Sequence, residues 1–336
     1  MKSYQYADAV FTIEGALSVE DNDLFTQPWR IDYKRKELFP YLNDEFQGGA
    51  CPGVRICFTS DCTELAIEIL EMHERDTGFH DVMMIDLVVN KKYIETVLIN
   101  AGVKCYEFKK MEAGPKNIEL WLDQAFPVKF KKILINDEAF MKKTEVKSKR
   151  WVIYGSSITH SVRAKSPSSI WPGLVALEKN LHLTNLGFGG QCILDPIIGN
   201  EMSDLEADLF TLKLGANIFT GRLHERSFEP CAIGLIEAIR KNHKTTPVVL
   251  VSPIIFPEYE ELKGASLLCI MDIRHILQKL AEKYKRLGDE NIHYFDGRVL
   301  MDTDSLRYMP DKVHPDGEGQ YIMARHFIDN ILNKIT

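Results

Sequence analysis

Short runs of apolar and β-branched residues dominate the first 140 or so positions of the chain. These runs occupy residues 54–58, 65–70, 82–89, 94–99 and 117–122. Turn signals such as Gly53 and Asn90-Lys91 separate them. Short strands at this spacing are typical of antiparallel sheets. We therefore predict an N-terminal, jelly-roll-like β-sandwich domain over residues 1–148, with the charged tract 142–150 as a linker.

The pattern changes at Trp151, where short apolar runs begin to alternate with helical spacing. The apolar runs are residues 151–154, 181–186, 209–214, 248–255 and 292–295. Helical spacing appears over residues 232–239, 267–287 and 321–335. Nearly continuous apolar strands joined by helices predict a parallel sheet covered on both faces, an α/β domain over residues 149–336. Ligands of such sheets bind at the carboxyl ends of the strands.

Composition narrows the class of protein. The 336 residues are 45% hydrophobic and 26% charged, which fits two globular domains. A net charge of −7 without a basic patch argues against nucleic-acid binding. No stretch approaches the length of an apolar membrane span, so no membrane partner is expected. The N-terminus has no signal-peptide core, and the seven cysteines form no C-x-x-C pair, which favours reduced thiols and a cytoplasmic location.

Small and polar residues follow the first three strands of the predicted parallel sheet. Gly155-Ser156-Ser157 could present a serine nucleophile, although a strand-to-helix turn capped by serine is the more common reason for such a block when it is taken alone. Gly187 to Gly190 could offer backbone N–H groups to an oxyanion, or could be a tight turn. Asn217 could donate its amide N–H to the same oxyanion, or could cap a turn.

The last candidate group is Asp311-Lys312-Val313-His314, just before the final helix. An aspartate three residues before a histidine can accept the Nδ1–H, which leaves Nε2 free as a general base. A surface turn is the alternative interpretation. No further ligand lies at close spacing, so we expect no metal site and no cofactor.

Taken together, these blocks resemble the SGNH (GDSL-like) hydrolase superfamily over about residues 150 to 335. The blocks are Gly155-Ser156-Ser157-Ile158-Thr159, Asn185 to Gly190, Gly215-Ala216-Asn217-Ile218 and Asp311 to His314. The resemblance implies a flavodoxin-like three-layer α/β/α domain. It also implies Ser157 as nucleophile, His314 and Asp311 as the rest of the triad, and an oxyanion hole formed by Ser157, Gly190 and Asn217.

Two positions depart from the family pattern. Ser156 stands in place of the aspartate of Gly-Asp-Ser, and Ile218 in place of the aspartate that often follows the third-block asparagine. Neither lost residue is the nucleophile, an oxyanion donor or the base. With an N-terminal sandwich, the pattern resembles two-domain SGNH esterases, some of which act on acylated carbohydrates.

The resemblance implies a serine esterase that hydrolyses short-chain acyl esters, acetyl esters above all, on a small molecule or a carbohydrate. Phe188, Phe219 and His224 are candidates for the substrate pocket, and Arg163 and Arg226 for binding a polar substrate group. Core packing and surface solvation are the alternatives for these side chains. An acyltransferase with the same triad and a non-catalytic carbohydrate-binding protein are the rival functions. An exposed sandwich edge could pair with a second copy to form a homo-oligomer.

Overall fold

A computed structural model describes residues 1–70, 82–100, 102, 104–109, 111–145 and 148–335. Contacts between Cα atoms divide the chain into two compact units. The first contains Met1–Ser148 and Ala164–Thr184, and the second contains Lys149–Arg163 and Asn185–Thr336. The segment Ala164–Thr184 thus groups with the N-terminal residues. In the tract 142–150, Val146 and Lys147 lie outside the described residues, as does Thr336 at the C-terminus.

The first unit is built from antiparallel strands. Its strands are β1 (Lys2–Tyr4), β2 (Thr12–Glu14), β3 (Ser18–Asp21), β4 (Thr26–Trp29), β5 (Arg55–Ser60), β6 (Leu65–Ile69), β7 (Met83–Val89), β8 (Lys92–Ile99), β9 (Cys105–Phe108), β10 (Lys116–Leu122), β11 (Phe130–Ile135) and β12 (Met141–Lys142). One sheet has the order β3-β4-β11-β6-β9, with β1 also paired to β11. The other has the order β12-β5-β10-β7-β8, with β2 also paired to β5. The predicted antiparallel character of this region is confirmed.

The central strands of these sheets are buried on both faces. In β6 and β10, Leu65, Ile67, Ile118 and Leu120 are fully buried, and so are Ala66 and Trp121, whose side chains point to the opposite faces. Short 3₁₀ turns at Tyr6–Asp8, Tyr33–Leu38 and Pro167–Ser169 connect strands. The helix α2 (Trp171–Lys179) also belongs to this unit.

The carboxyl-terminal α/β fold lies in the second unit, except for residues 181–184 at the start of its second strand, which group with the first unit. Its strands are β13 (Lys149–Gly155), β14 (Leu181–Gly187), β15 (Leu209–Lys213), β16 (Val248–Val251) and β17 (Ile292–Phe295), and they form one sheet in the order β14-β13-β15-β16-β17. The helices are α1 (Ser157–His160), α3 (Pro196–Asp204), α4 (Glu225–Asn242), α5 (Ile270–Arg286) and α6 (Gly317–Asn330). Shorter turns lie at Ile218–Arg222, Gly297–Val299, Thr303–Tyr308 and Leu332–Lys334. The predicted parallel sheet with helices is confirmed.

Strand register aligns the carboxyl ends of this sheet. Gly155 pairs with Lys213, Lys213 with Val251, and Val251 with Phe295, all in parallel strands. The central strands β15 and β16 are buried along their whole length, as expected where both faces of a sheet are covered. One helix contact is direct: the Phe327 ring of α6 stacks on Trp151 of β13 at 5.1 Å. The loops after β13, β14 and β15 therefore begin at one edge of the sheet.

Among the described residues, no helix combines the length and the apolar character that crossing a lipid bilayer requires.

Candidate active site

Ser157 is the first residue of the one-turn helix α1, directly after β13. The hydroxyl of Ser156 accepts a hydrogen bond from the Ile158 N–H at 3.4 Å and caps this helix. Ser161 ends the helix in the left-handed conformation, at φ 63°. Capping by Ser156 leaves the Ser157 hydroxyl free for another partner, and Ser157 is half-buried whereas Ser156 is fully buried.

The end of β14 holds this helix in place. Asn185, buried in β14, donates from its amide nitrogen to the Thr159 carbonyl at 2.9 Å, and its Oδ1 accepts from the Gly187 N–H at 2.8 Å. A Cβ atom at Gly187 would lie 2.3 Å from the His160 nitrogen, so only glycine permits this approach. The asparagine and glycine of the second motif block therefore position the helix that carries Ser157.

His314 lies within hydrogen-bond distance of Ser157. The distance from Ser157 Oγ to His314 Nε2 is 2.8 Å, and His314 Nδ1 is 2.8 Å from Asp311 Oδ2. The carboxylate accepts the Nδ1–H, which assigns the tautomer with a lone pair on Nε2. The Ser157 hydroxyl can therefore donate to His314, the arrangement that a serine nucleophile and its base require.

Backbone donors fix the carboxylate of Asp311. Its Oδ1 accepts from the N–H groups of Val313 at 3.0 Å and His314 at 2.7 Å. Burial raises the pKa of Asp311, but the hydrogen bonds from His314 and Val313 outweigh it and lower the pKa to about 2. Asp311 is therefore a carboxylate at neutral pH. Arg163 Nη2 also lies 3.0 Å from Oδ2, so this arginine contacts the triad carboxylate.

The loop after β14 orients the amide of Asn217. Asn217 Oδ1 accepts the Cys192 N–H at 3.1 Å. A backbone N–H can bond only to the amide oxygen, so this contact distinguishes the two ends of the side chain and leaves the NH₂ group as a donor. Asn217 begins a π turn, Ile218–Arg222, a feature frequent at functional sites.

Gly190 lies in the same loop with a positive φ of 71°, a conformation that glycine adopts without strain. Arg222 approaches it from the π turn: its Nη2 would lie 3.6 Å from a Cβ at Gly190, and its Nη1 donates to Gln191 Oε1 at 3.4 Å. Arg222 carries no motif spacing that would single it out from the sequence. Only the folded π turn brings its charge to the glycine loop.

The candidate pocket residues lie in different surroundings. Phe188 is fully buried and packs against Tyr154, with ring centroids 6.5 Å apart, so its ring belongs to the core in this structure. Phe219 is half-buried and packs against Phe256 at 6.1 Å and Tyr259 at 4.8 Å. His224 is exposed and precedes α4, where its N–H donates to Ser227 Oγ.

The last candidate, Arg226, and two residues close in sequence to the site remain to be placed. Arg226 is an exposed residue of α4. Cys192, close in sequence to the glycine loop, is buried, and burial raises the pKa of its thiol to about 12, so the thiol stays protonated and unreactive at neutral pH. His160 is fully buried at the end of α1.

The model of the GDSL-like lipase/acylhydrolase family matches residues 148–332, more than half of the chain. The chain belongs to this family. It is an SGNH-type ester hydrolase, a class of enzyme that transfers an acyl group from an ester to water or to another acceptor. The predicted resemblance to the SGNH superfamily is confirmed.

Solved structures resemble the chain over nearly its whole length. The salicylyl-acyltransferase SsfX3 from a tetracycline biosynthetic pathway is 28% identical with a TM-score of 0.89, covering 97% of this chain and 95% of that one. An acetyl xylan esterase, Est2A, from the rumen bacterium Butyrivibrio proteoclasticus is 14% identical with a TM-score of 0.64, covering 99% and 98%. A family two carbohydrate esterase from Clostridium thermocellum in complex with cellohexaose is 13% identical with a TM-score of 0.66, covering 97% and 99%. No curated protein sequence matches the chain.

Proposed function

We propose that this family member is a serine esterase that hydrolyses short-chain acyl esters through Ser157, His314 and Asp311. The observation that carries the proposal is the unbroken relay from Ser157 Oγ to His314 Nε2 and from His314 Nδ1 to Asp311 Oδ2, each at 2.8 Å. The orientation of the Asn217 amide supports it, because an oxyanion needs a donor and not an acceptor.

The mechanism follows from these contacts. His314 Nε2 takes the hydroxyl proton of Ser157 as Oγ attacks the ester carbonyl, and the imidazolium is stabilised by the Asp311 carboxylate. The N–H groups of Ser157 and Gly190 and the amide of Asn217 hold the oxyanion. His314 then protonates the leaving alkoxide, and water repeats the cycle on the acyl-enzyme.

For the substrate we propose an acetyl ester, carried by a small molecule or a carbohydrate. The support is the shared fold with the acetyl xylan esterase Est2A and with the carbohydrate esterase from Clostridium thermocellum. The test is hydrolysis of p-nitrophenyl acetate and of longer acyl esters by the wild type and by Ser157→Ala. Hydrolysis that is lost in the variant supports a serine esterase. Equal rates for both proteins would contradict the assignment.

A second candidate function is acyl transfer to an alcohol acceptor through the same three residues. It is favoured by the likeness to a salicylyl-acyltransferase at 28% identity over 97% of the chain. The two functions differ only in whether water or another hydroxyl reaches the acyl-enzyme. Product analysis with added alcohol acceptors separates them, because a transferase yields the new ester at the expense of free acid.

We further propose that residues 1–148 form a β-sandwich accessory domain and residues 149–336 the catalytic domain. The rings of Phe11, beside β2, and of Phe130, in β11, lie 6.2 Å apart, and these strands belong to the two different antiparallel sheets. Contact between the sheets supports a sandwich. A cytoplasmic location is supported by the seven free cysteines among the described residues.

A further inference from the structure

A cavity lined by charged and neutral polar side chains lies wholly within the first unit. It has a volume of about 300 Å³. Its lining comes from β2, β5 and β10, from the turn before β8, and from Thr144, Ser148 and residues 180–182. This volume is at the lower end of the range of small-molecule pockets. Ser157, His314 and Asn217 do not line it.

Arg55 is the centre of the lining. Its side chain is 2% exposed, its Nη2 lies 2.9 Å from Glu14 Oε2, and its Nε lies 3.7 Å from Glu119 Oε2. Two backbone carbonyls, those of Gly53 and Leu183, accept from Nη1. Among the described residues, Arg55 Nε has no hydrogen-bond acceptor. The two carboxylates and the two carbonyls therefore hold the guanidinium in place.

The charges around the cavity balance. Lys91 Nζ pairs with Glu119 Oε1 at 2.6 Å, so the lining has two cations, Arg55 and Lys91, and two carboxylates, those of Glu14 and Glu119. Burial raises the pKa of Glu14, but the charges of Arg55, His182 and Lys91 outweigh it and lower the pKa. An anionic ligand would meet Glu14 and Glu119, and a cationic one would meet Arg55 and Lys91. Balanced charge therefore favours a neutral ligand.

A buried charge network of this kind is costly for the fold. Desolvation of buried ion pairs offsets much of their attraction, and apolar residues of similar size are often as stable. Stability alone therefore gives little reason to surround a cavity with four charged groups. A ligand that uses their hydrogen-bonding capacity does give one.

Neutral amides and hydroxyls complete the lining. Asn117 Oδ1 accepts the Thr59 hydroxyl at 2.8 Å, which leaves the Asn117 NH₂ group as a donor. Thr144 Oγ1 lies 3.4 Å from the same Thr59 hydroxyl and lines the cavity. The lining therefore offers both donors and acceptors. Hydroxyl groups match such a lining because each can donate and accept.

We propose that this cavity binds a neutral, polyhydroxylated ligand with the size of one sugar ring. The site is separate from the esterase chemistry and does not depend on it. Arg55, Lys91 and Asn117 donate to ligand hydroxyl oxygens, and Glu14 and Glu119 accept from ligand hydroxyl protons.

The test is titration calorimetry of the full chain with methyl β-D-glucopyranoside and methyl β-D-xylopyranoside, and with glucuronate and glucosamine as charged comparators. The wild type is expected to bind at least one neutral glycoside saturably and more tightly than both charged sugars. Absence of saturable binding of either glycoside, or a preference for a charged sugar, overturns the proposal.

Two variants locate the binding. Asn117→Leu and Thr144→Leu remove a polar group and reduce the cavity, and each should weaken binding by about tenfold, the effect of roughly 1.4 kcal/mol. Thr63→Leu makes a matched change at an exposed threonine that does not line the cavity, and should bind as the wild type does. Thermal melting checks the fold, and Thr144→Leu alone decides if Asn117→Leu does not fold. Unchanged binding in a folded Thr144→Leu protein places the ligand elsewhere and overturns the proposal.

Discussion

Replacing Asp311 by asparagine tests the proposed relay most directly. In the wild type, Asp311 Oδ1 accepts two backbone N–H groups and Oδ2 accepts His314 Nδ1–H. An asparagine can keep only one of these two sets. Giving up the two backbone bonds costs roughly 1–3 kcal/mol at about 0.5–1.5 kcal/mol each, so the amide oxygen should keep them and turn its NH₂ group toward His314.

That orientation reverses the tautomer of His314. With a donor facing Nδ1, the ring proton moves to Nε2, and Nε2 can no longer accept the Ser157 proton at 2.8 Å. In a serine protease triad the same change lowers kcat by ~10⁴, equivalent to about 5.4 kcal/mol of transition-state stabilisation. We expect a loss of this size for Asp311→Asn in hydrolysis of p-nitrophenyl acetate.

The matched control is Asp329→Asn. Asp329 forms an exposed ion pair with Arg325 at 2.9 Å within α6, so the substitution removes a carboxylate of the same unit without touching the triad. Such pairs contribute about 0.3–0.5 kcal/mol, and kcat should be unchanged. If a folded Asp311→Asn enzyme keeps more than about a tenth of wild-type kcat, the tautomer argument is wrong.

Three further substitutions test the proposed oxyanion donor, the close approach of β14 to α1, and a buried lysine of the parallel sheet. Asn217→Ala should lower kcat by ~10²–10³, the cost of one oxyanion donor. Its remaining activity should still be higher than that of Ser157→Ala in the same ester assay. Equal activity of the two variants would contradict the role proposed for Asn217. Gly187→Ala forces a Cβ to within 2.3 Å of the His160 nitrogen, so urea unfolding should reveal a loss of about 1–3 kcal/mol and kcat should fall, whereas an unchanged protein would show that the strand end can move. Lys213 Nζ is buried without a hydrogen-bond partner among the described residues, and burial lowers its pKa to about 8. Between about pH 8 and pH 10.5 the unfolded chain therefore binds more protons than the folded one. Over this range the free energy of unfolding of the wild type should rise with pH relative to that of Lys213→Met, and parallel pH profiles of stability for the two proteins would refute this.

The parallel sheet could be predicted because its strands are buried on both faces. Their apolar runs are nearly continuous. The predicted run 151–154 therefore lies within β13, and the predicted run 292–295 coincides with β17. The N-terminal strands were harder to predict. β3, with the sequence Ser-Val-Glu-Asp, has no apolar run, and its position depends on pairing with β4. Only tertiary contacts could identify such a strand.

Sequence patterns say least about the direction in which neighbouring side chains point. Phe188 and Gly190 both come directly after β14, and spacing alone made both candidates for the site. The Phe188 N–H donates to the Gly155 carbonyl at 2.9 Å, so the chain still follows β13 at this residue and its ring enters the core. Two residues later the chain is in a turn, where Gly190 has a positive φ and the Gln191 N–H donates to the Phe188 carbonyl at 3.1 Å. The end of a strand can thus be predicted from the sequence. The direction of each side chain depends on hydrogen bonds that form only in the folded chain.

The same reasoning explains why Asn217 is the most informative residue of the site. An asparagine after a strand is as compatible with a turn cap as with an oxyanion donor. The choice depends on which end of its amide is already occupied, and the partner is the N–H of Cys192, 25 residues earlier in the chain. Any residue except proline could supply that N–H, so no side-chain motif could predict this hydrogen bond. The chemistry of the amide is therefore determined by the backbone path of the glycine-containing loop, which is why a family pattern can name the asparagine but only the fold can assign its donor.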